Sequence, residues 1–244
     1  MKKFILSALA IAVIGASSLV IMGAAKKSAK SSTETITKTL SLGNFRDLEV
    51  SQIKVELTQA PAGQATLAAP SDIIDRIVIE QDRDEVKIYV KDNKFGKSNV
   101  DATLTVSSNA VTDIEAECAA IVNINGELRS ADDIDLSAST AGTINAGTVS
   151  SRDLDIESST AGTVNVKRIV TSGKLDAEAS TAGTVNIKGG VANYAKLEAS
   201  TAGTVNAMAD FKGGKAEAST GGTINAHTAN LYIESNAGGS VNSK

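Results

Sequence analysis

Tryptophan is absent from this chain of 244 residues, and histidine, cysteine and proline are nearly so. The one histidine is His227 and the one cysteine is Cys118. Zinc sites need clustered His and Cys ligands, so that class of metal centre is excluded. A nucleophile activated by imidazole would have to depend on His227, which sits in a linker between repeats and reads as a surface residue. Cys118 has no partner for an internal disulfide and reads as a quiet structural thiol. Both prolines, Pro61 and Pro70, fall early, so every later amide can donate to a β-ladder. Aromatic residues make up only 3% of the chain. After residue 25 they are Phe45, Phe95, Phe211, Tyr89, Tyr194 and Tyr232, a thin supply for the flat platforms on which sugars stack. Basic charge is scarce too. Removing residues 1–25 takes Lys2 and Lys3 and no acid, leaving 22 basic side chains against 28 acidic, a net charge of −6. That balance argues against nucleic acid as a partner.

What the chain has instead is one phrase written repeatedly. Ser-Thr-Ala-Gly-Thr-Ile/Val-Asn occupies residues 139–145, 159–165, 180–186 and 200–206. Ser-Thr-Gly-Gly-Thr-Ile-Asn follows at 219–225, a worn copy at 236–242, and a degenerate first copy at 117–123. The asparagines at 123, 145, 165, 186, 206, 225 and 242 are separated by 22, 20, 21, 20, 19 and 17 residues. Units of that length cannot bury a core alone, so they stack.

Each copy follows an alternating run, as in Ile134, Leu136 and Ala138 or Leu154, Ile156 and Ser158, with mostly charged residues between. Period 2 indicates a strand with one buried face. A second strand follows the glycine, with Val164 and Val166 or Val185 and Ile187 on one face. Helical spacing is missing, and glycine and β-branched residues fill every copy. The predicted fold is all-β: a right-handed parallel β-helix, or solenoid, of ~20-residue rungs with an irregular N-terminal cap. The uneven steps argue against the left-handed hexapeptide type. Ala141, Ala161, Ala182 and Ala202 and the glycines at 142, 162, 183, 203 and 222 then suit a crowded corner, the glycines also permitting positive φ. Because Ala120 replaces the glycine in the first copy, positive φ is not obligatory there. Asn145, Asn165, Asn186, Asn206 and Asn225 are placed to form a structural ladder of stacked amides.

The chain divides into a leader, a tether and one domain. Residues 1–25 read as a signal peptide, with Lys2 and Lys3 ahead of an apolar stretch and Gly23, Ala24 and Ala25 before Lys26. An N-terminal membrane anchor is the alternative, since residues 4–22 are long enough to span a bilayer. Residues 26–35 form a polar tether. Residues 36–244 form a single β-helix domain, with irregular rungs and cap over 36–110 and regular repeats over 111–244. Within the irregular part, strands are expected over 73–80 and 85–90 and a loop over 92–97.

Residues 41–50, residues 53–58 and the strand at 85–90 resemble the opening of the bacterial GIN-domain family, the head domains of autotransporter adhesins. The ladder over 154–166 and 175–187 is similar to the later part of that family, and the likeness covers roughly residues 36–242. It implies an exported β-helical domain and brings no catalytic residues with it.

The charged columns carry the one sharp expectation about a site. Glu157, Glu178, Glu198, Glu217 and Glu234 share an outward position with Glu115, Ser137 interrupting. Asp135, Asp155 and Asp176 line the adjacent column, which switches to Lys196 and Lys215. Stacked like charges repel unless paired or neutralised. The stripe is therefore either a solvated face partly paired by lysine or a collector of divalent cations such as Ca²⁺, or of a basic partner. No other cofactor is expected. The function expected is a non-catalytic, exported or cell-envelope binding module, adhesin-like, presenting Thr, Asn and Glu columns to a cell-surface or envelope protein or glycan. Its place is the periplasm, cell surface or extracellular space, with membrane contact only through an N-terminal anchor. An enzyme acting on envelope polysaccharide is the alternative, since paired carboxylates alone can cleave glycosides.

Overall fold

The computed structural model describes residues 34–91, 100–227 and 230–243. The leader expected over 1–25, the tether up to residue 33 and the loop expected over 92–97 lie outside the described residues. Among the described residues the regular structure is strand throughout, apart from one 3₁₀ turn, Ile74–Arg76. None of them forms a helix long and apolar enough to cross a membrane.

The chain coils into a parallel β-solenoid with three sides. The first side stacks Asp113–Glu117, Ile134–Ala138, Leu154–Ser158, residues 175–179, residues 195–199, Gly214–Ala218 and Leu231–Ser235, each parallel to the next. The second stacks residues 121–124, 143–146 and 163–166, then Thr184–Ile187, Thr204–Ala207, Thr223–Ala226 and Ser240–Ser243. The third is short, running through residues 127–129, 148–151, 168–171 and 190–192 to Asp210–Phe211. Alternation explains the core. Ile114, Leu136, Ile156, Ala177, Leu197 and Ala216 form an inward column on the first side, none more than 2% exposed. Val122, Ile144, Val164, Val185, Val205 and Ile224 face them from the second side, all fully buried. Leu128, Val149 and Ile169 close the third. Removing this apolar surface from water is what holds the levels together.

The N-terminal third joins the same core out of sequence order. Asp47–Ser51 and Lys54–Thr58 lie directly beneath Asp113–Glu117 and residues 121–125. Glu85–Val90 and Thr103–Ser107, though later in the chain, lie one level lower still. Antiparallel strands then cover the end: Ile77–Asp82 runs along Glu85–Val90, and Gln64–Pro70 lies between Thr103–Ser107 and Thr35–Ser41. The strand expected over 73–80 begins only at Ile77, because residues 74–76 wind into the 3₁₀ turn that buries Ile74.

The corner between the first two sides sets the geometry of every level. In each regular copy the two residues after the first Ser have positive φ, as at Thr140 (48°) with Ala141 (65°) and Thr181 (47°) with Ala182 (62°). The fourth amide returns to the first carbonyl, Gly142 N to Ser139 O and Gly183 N to Ser180 O at 2.7 Å. Positive φ at both central residues with that bond is the type I′ turn. The strained positions are thus Thr and Ala, and the glycine that follows them has ordinary φ. Its reason is contact: a Cβ on Gly142 would lie 1.9 Å from Ala116 O, and one on Gly183 2.1 Å from Ser158 O. Ala120 stands at this position in the first copy, where the connection below, Gln52 and Ile53, is two residues long and not another four-residue turn. Left-handed strain is offset by bonds between turns, Ala141 N to Thr160 O at 3.0 Å and Ala182 N to Thr201 O at 3.1 Å.

This assignment separates two neighbouring substitutions. Gly183→Ala should cost about 3 kcal/mol or more in urea melts, since backbone must move. Ala182→Gly should stay within about 1 kcal/mol of the parent. It relieves about 1 kcal/mol of left-handed strain and adds about as much unfolded-chain entropy. Equal losses at both positions would contradict the turn described.

Candidate functional site

The outward columns of the first two sides differ in chemistry. On the second side the asparagines stack one above another and bond in one direction. Asn145 Nδ2 donates to Asn123 Oδ1 (2.9 Å), Asn165 to Asn145 (2.9 Å), Asn186 to Asn165 (2.8 Å), Asn206 to Asn186 (2.7 Å) and Asn225 to Asn206 (2.7 Å). Asn242 adds a further bond to Asn225 at 3.0 Å. At the base Asn123 donates to Glu56 Oε1 (2.9 Å), and Asn125 and Lys54 bind the same carboxylate. Burial pushes the Glu56 carboxyl up, but those three partners outweigh it and hold it below its usual range. An ionised carboxylate only accepts, so it sets the donor direction of the whole amide chain. Beside the amides runs a column of Thr143, Thr163, Thr184, Thr204 and Thr223. From Thr143 upward these two columns carry no charge.

The first side is charged, and its acids are compensated unevenly. The glutamates at 157, 178, 198, 217 and 234 stand in one register. Lys196 binds Glu198 at 2.7 Å, and Lys215 bridges Glu217 and Glu234. Asp176 is bound by Lys174 at 2.6 Å. At the lower end Lys87 joins Glu49 (2.7 Å) and Glu85 (3.0 Å). Lys87, Lys196 and Lys215 are held above their ordinary pKa range, chiefly by hydrogen bonds to the acids named.

Between the paired ends lies an acidic stretch that residue spacing alone did not reveal in full. Asp47 and Asp113 extend the aspartate column downward beneath Asp135 and Asp155. An open groove of about 220 Å³ runs along Asp47, Glu49, Asp113, Glu115 and Asp135, with Ser137 leaving a gap in the glutamate column. Burial first, then Glu117, pushes the Glu115 carboxyl up to about 7. Burial and Asp113 push Asp135 to about 7 as well. Asp47, Asp155 and Glu178 are raised by burial and by the carboxylates stacked next to them. Glu115 and Asp135 stand in the columns read from the repeats; for the part below them the sequence signal was the likeness of Asp47-Leu-Glu to Asp113-Ile-Glu, and no repeat motif follows Asp47. Among the described residues no three or more His, Cys, Asp or Glu side chains converge in a way that would hold a metal ion. His227 lies apart from both faces, with Nδ1 3.4 Å from Asp210 Oδ1. Cys118 occupies the first turn as a half-buried free thiol.

The described residues thus form a solenoid of stacked levels, covered at one end by antiparallel strands and carrying straight outward columns on two sides. Residues 44–243 match the family described as "Putative auto-transporter adhesin, head GIN domain". The chain belongs to this family. No curated protein matches it. Among solved structures it is similar to a "putative adhesin" of Parabacteroides distasonis, with a TM-score of 0.67 at 15% identity over 86% of this chain and 97% of the other. Another "putative adhesin", from Parabacteroides merdae, gives 0.66 at 16% over 86% and 96%. A "putative lipid binding protein" of Parabacteroides distasonis gives 0.51 at 13% over 86% and 96%. Likeness at such low identity shows the shared fold.

The raised carboxyls have a signed consequence for stability. Glu115 and Asp135 bind a proton more tightly folded than unfolded, so their contribution is full at about pH 4 and is lost as pH rises to about 7. Glu56 acts oppositely, its contribution vanishing below about pH 4. Over these groups thermal stability should therefore be greatest near about pH 4 and fall as the pH rises toward about 7. Asp135→Asn should raise the melting midpoint at about pH 8 by roughly 2–4 °C and change it little at about pH 4. A lower midpoint for Asp135→Asn at the alkaline pH would contradict the repulsion argued for this column.

Proposed function

We propose that this protein is an exported binding module of the cell envelope, an adhesin-like rod without catalysis that offers its stacked columns to a cell-surface or envelope protein or glycan. The observation that carries this reading is uniformity. Thr and Asn recur at the same outward positions from residue 143 to residue 225, in register and without charge. An active site gathers unlike groups at one place, whereas these columns repeat like groups at many. Repetition suits a ligand that is itself periodic or extended, since many weak contacts act together. Membership of an adhesin-head family supports the same assignment. Export rests on the leader read in residues 1–25 and on the family's character.

The second side is the face to test. Purified protein, labelled and incubated with intact bacterial cells and with isolated envelope polysaccharide, should bind at least one of them saturably. Replacing Thr163, Thr184 and Thr204 together by Lys places three charges in the neutral columns and should weaken binding about tenfold or more, while Glu178→Gln with Glu198→Gln should leave it within about twofold. Release of reducing sugar from the polysaccharide would instead favour the hydrolytic alternative. Binding that follows the glutamate pair and ignores the threonines would move the site to the first side.

A further inference from the structure

The two ends of the coil are built differently. At the N-terminal end Ile77–Asp82 runs antiparallel along Glu85–Val90 and closes the first side, while Gln64–Pro70 and Thr35–Ser41 close the second. At the other end Leu231–Ser235 pairs with Gly214–Ala218, Ser240–Ser243 pairs with Thr223–Ala226, and no described strand lies above either. Among the described residues nothing covers the core there. Ile233 continues the inward column of Leu197 and Ala216, which are fully buried, yet it is 45% exposed. Leu231 and Val241 are only partly buried, and Tyr232 beside them is 65% exposed. An unpaired strand edge over an open apolar core is a template for another strand.

We propose that this end face pairs with a second copy of itself about a two-fold axis through Ile233. Antiparallel pairing centred on that residue sets Ile233 against its own copy over the core. It also sets Tyr232 against the partner's Glu234, twice, on the outward face, where opposite residues of antiparallel strands meet. The phenol donates to the carboxylate, which Lys215 already holds from below at 3.0 Å. A related contact, diagonal instead of directly opposite, is made at the capped end, where Tyr89 stands across from Val78 and its OH donates to Glu80 Oε1 at 3.2 Å. A two-fold axis through the middle of the first side exchanges the other two sides between the copies, so only the first side pairs with itself. Head-to-tail stacking has no such pairing, because the N-terminal end already carries its antiparallel cover. The result is a closed dimer with both caps outward.

The experiment uses the full chain in a Cys118→Ser background, studied by sedimentation from low micromolar to near-millimolar concentration. The expected result is a reversible dimer, with Ile233→Asp weakening association about tenfold or more. Ile233→Cys reads the register independently of that variant's folding. Only a residue on the axis faces its own copy within disulfide reach, so mild oxidation should join Ile233→Cys into covalent dimers far faster than Tyr232→Cys or Glu234→Cys. A monomer at every concentration, a dimer indifferent to Ile233→Asp, larger assemblies, or equal cross-linking at the three positions would each overturn the proposal.

Discussion

The constraint on which this structure rests is the register of backbone on backbone. Each level hydrogen-bonds to the next so that equivalent motif residues stand in line, Asn145 on Asn123 and Asn165 on Asn145. A slip of one residue would turn every apolar side chain outward. The four-residue corner prevents the slip, because its length never changes between the first and second sides from residues 139–142 to 236–239. The uneven steps of the repeat are absorbed elsewhere, on the short third side and its connections. Strain at Thr140 and Ala141 is tolerable for the same reason: each strained turn bonds to the one above, so the conformation is held collectively.

Register also turns composition into columns, and a column magnifies whatever chemistry it holds. Amides are self-complementary, each with donors and an acceptor, so asparagine can stack on asparagine without limit. Carboxylates only accept, and the molecule treats its stacked acids in three ways. Lysines on the neighbouring column pair with Glu198, Glu217 and Glu234. An amide chain ends on Glu56 and satisfies it. In the middle of the first side, where neither is present, the carboxyls of Glu115 and Asp135 hold their protons to about pH 7. The column thus remains compact at the cost of a pH-dependent charge.

Much of this was legible in the residues. The repeat and the period-2 runs imply stacked strands, and the asparagine that closes every copy implies that these side chains lie in line. Three features were not legible, each for a physical reason. The third side is two to four residues long, too short for alternation to announce a strand. The level formed by Glu85–Val90 and Thr103–Ser107 carries no motif, so nothing local says that it lies beneath a strand preceding it in the chain. The left-handed pair falls on Thr and Ala, residues that do not seek that conformation alone. A column-wise signal for it did exist. Gly221 and Gly238 replace the alanine, both with positive φ, while only the first copy, Ala120, replaces the glycine. Substitution down a column distinguishes a residue chosen for conformation from one chosen for space.

The same regularity separates stability from recognition. In a stack whose levels touch only their neighbours, each level needs inward apolar residues and a corner that fits, and it leaves its outward positions free. Those outward positions nevertheless keep Thr and Asn at level after level. Asparagine has a structural use there, since its amide bonds to the next. Threonine in the adjacent column has no comparable role, because the strand would form as well with other β-branched or polar residues. On the function proposed above, that retention serves a partner outside the fold. An extended partner that meets several levels at once gains from every added rung without any single contact being strong. On the proposed function the unit of recognition is the column, and its length, set by the number of stacked levels, would govern how firmly the rod holds its partner.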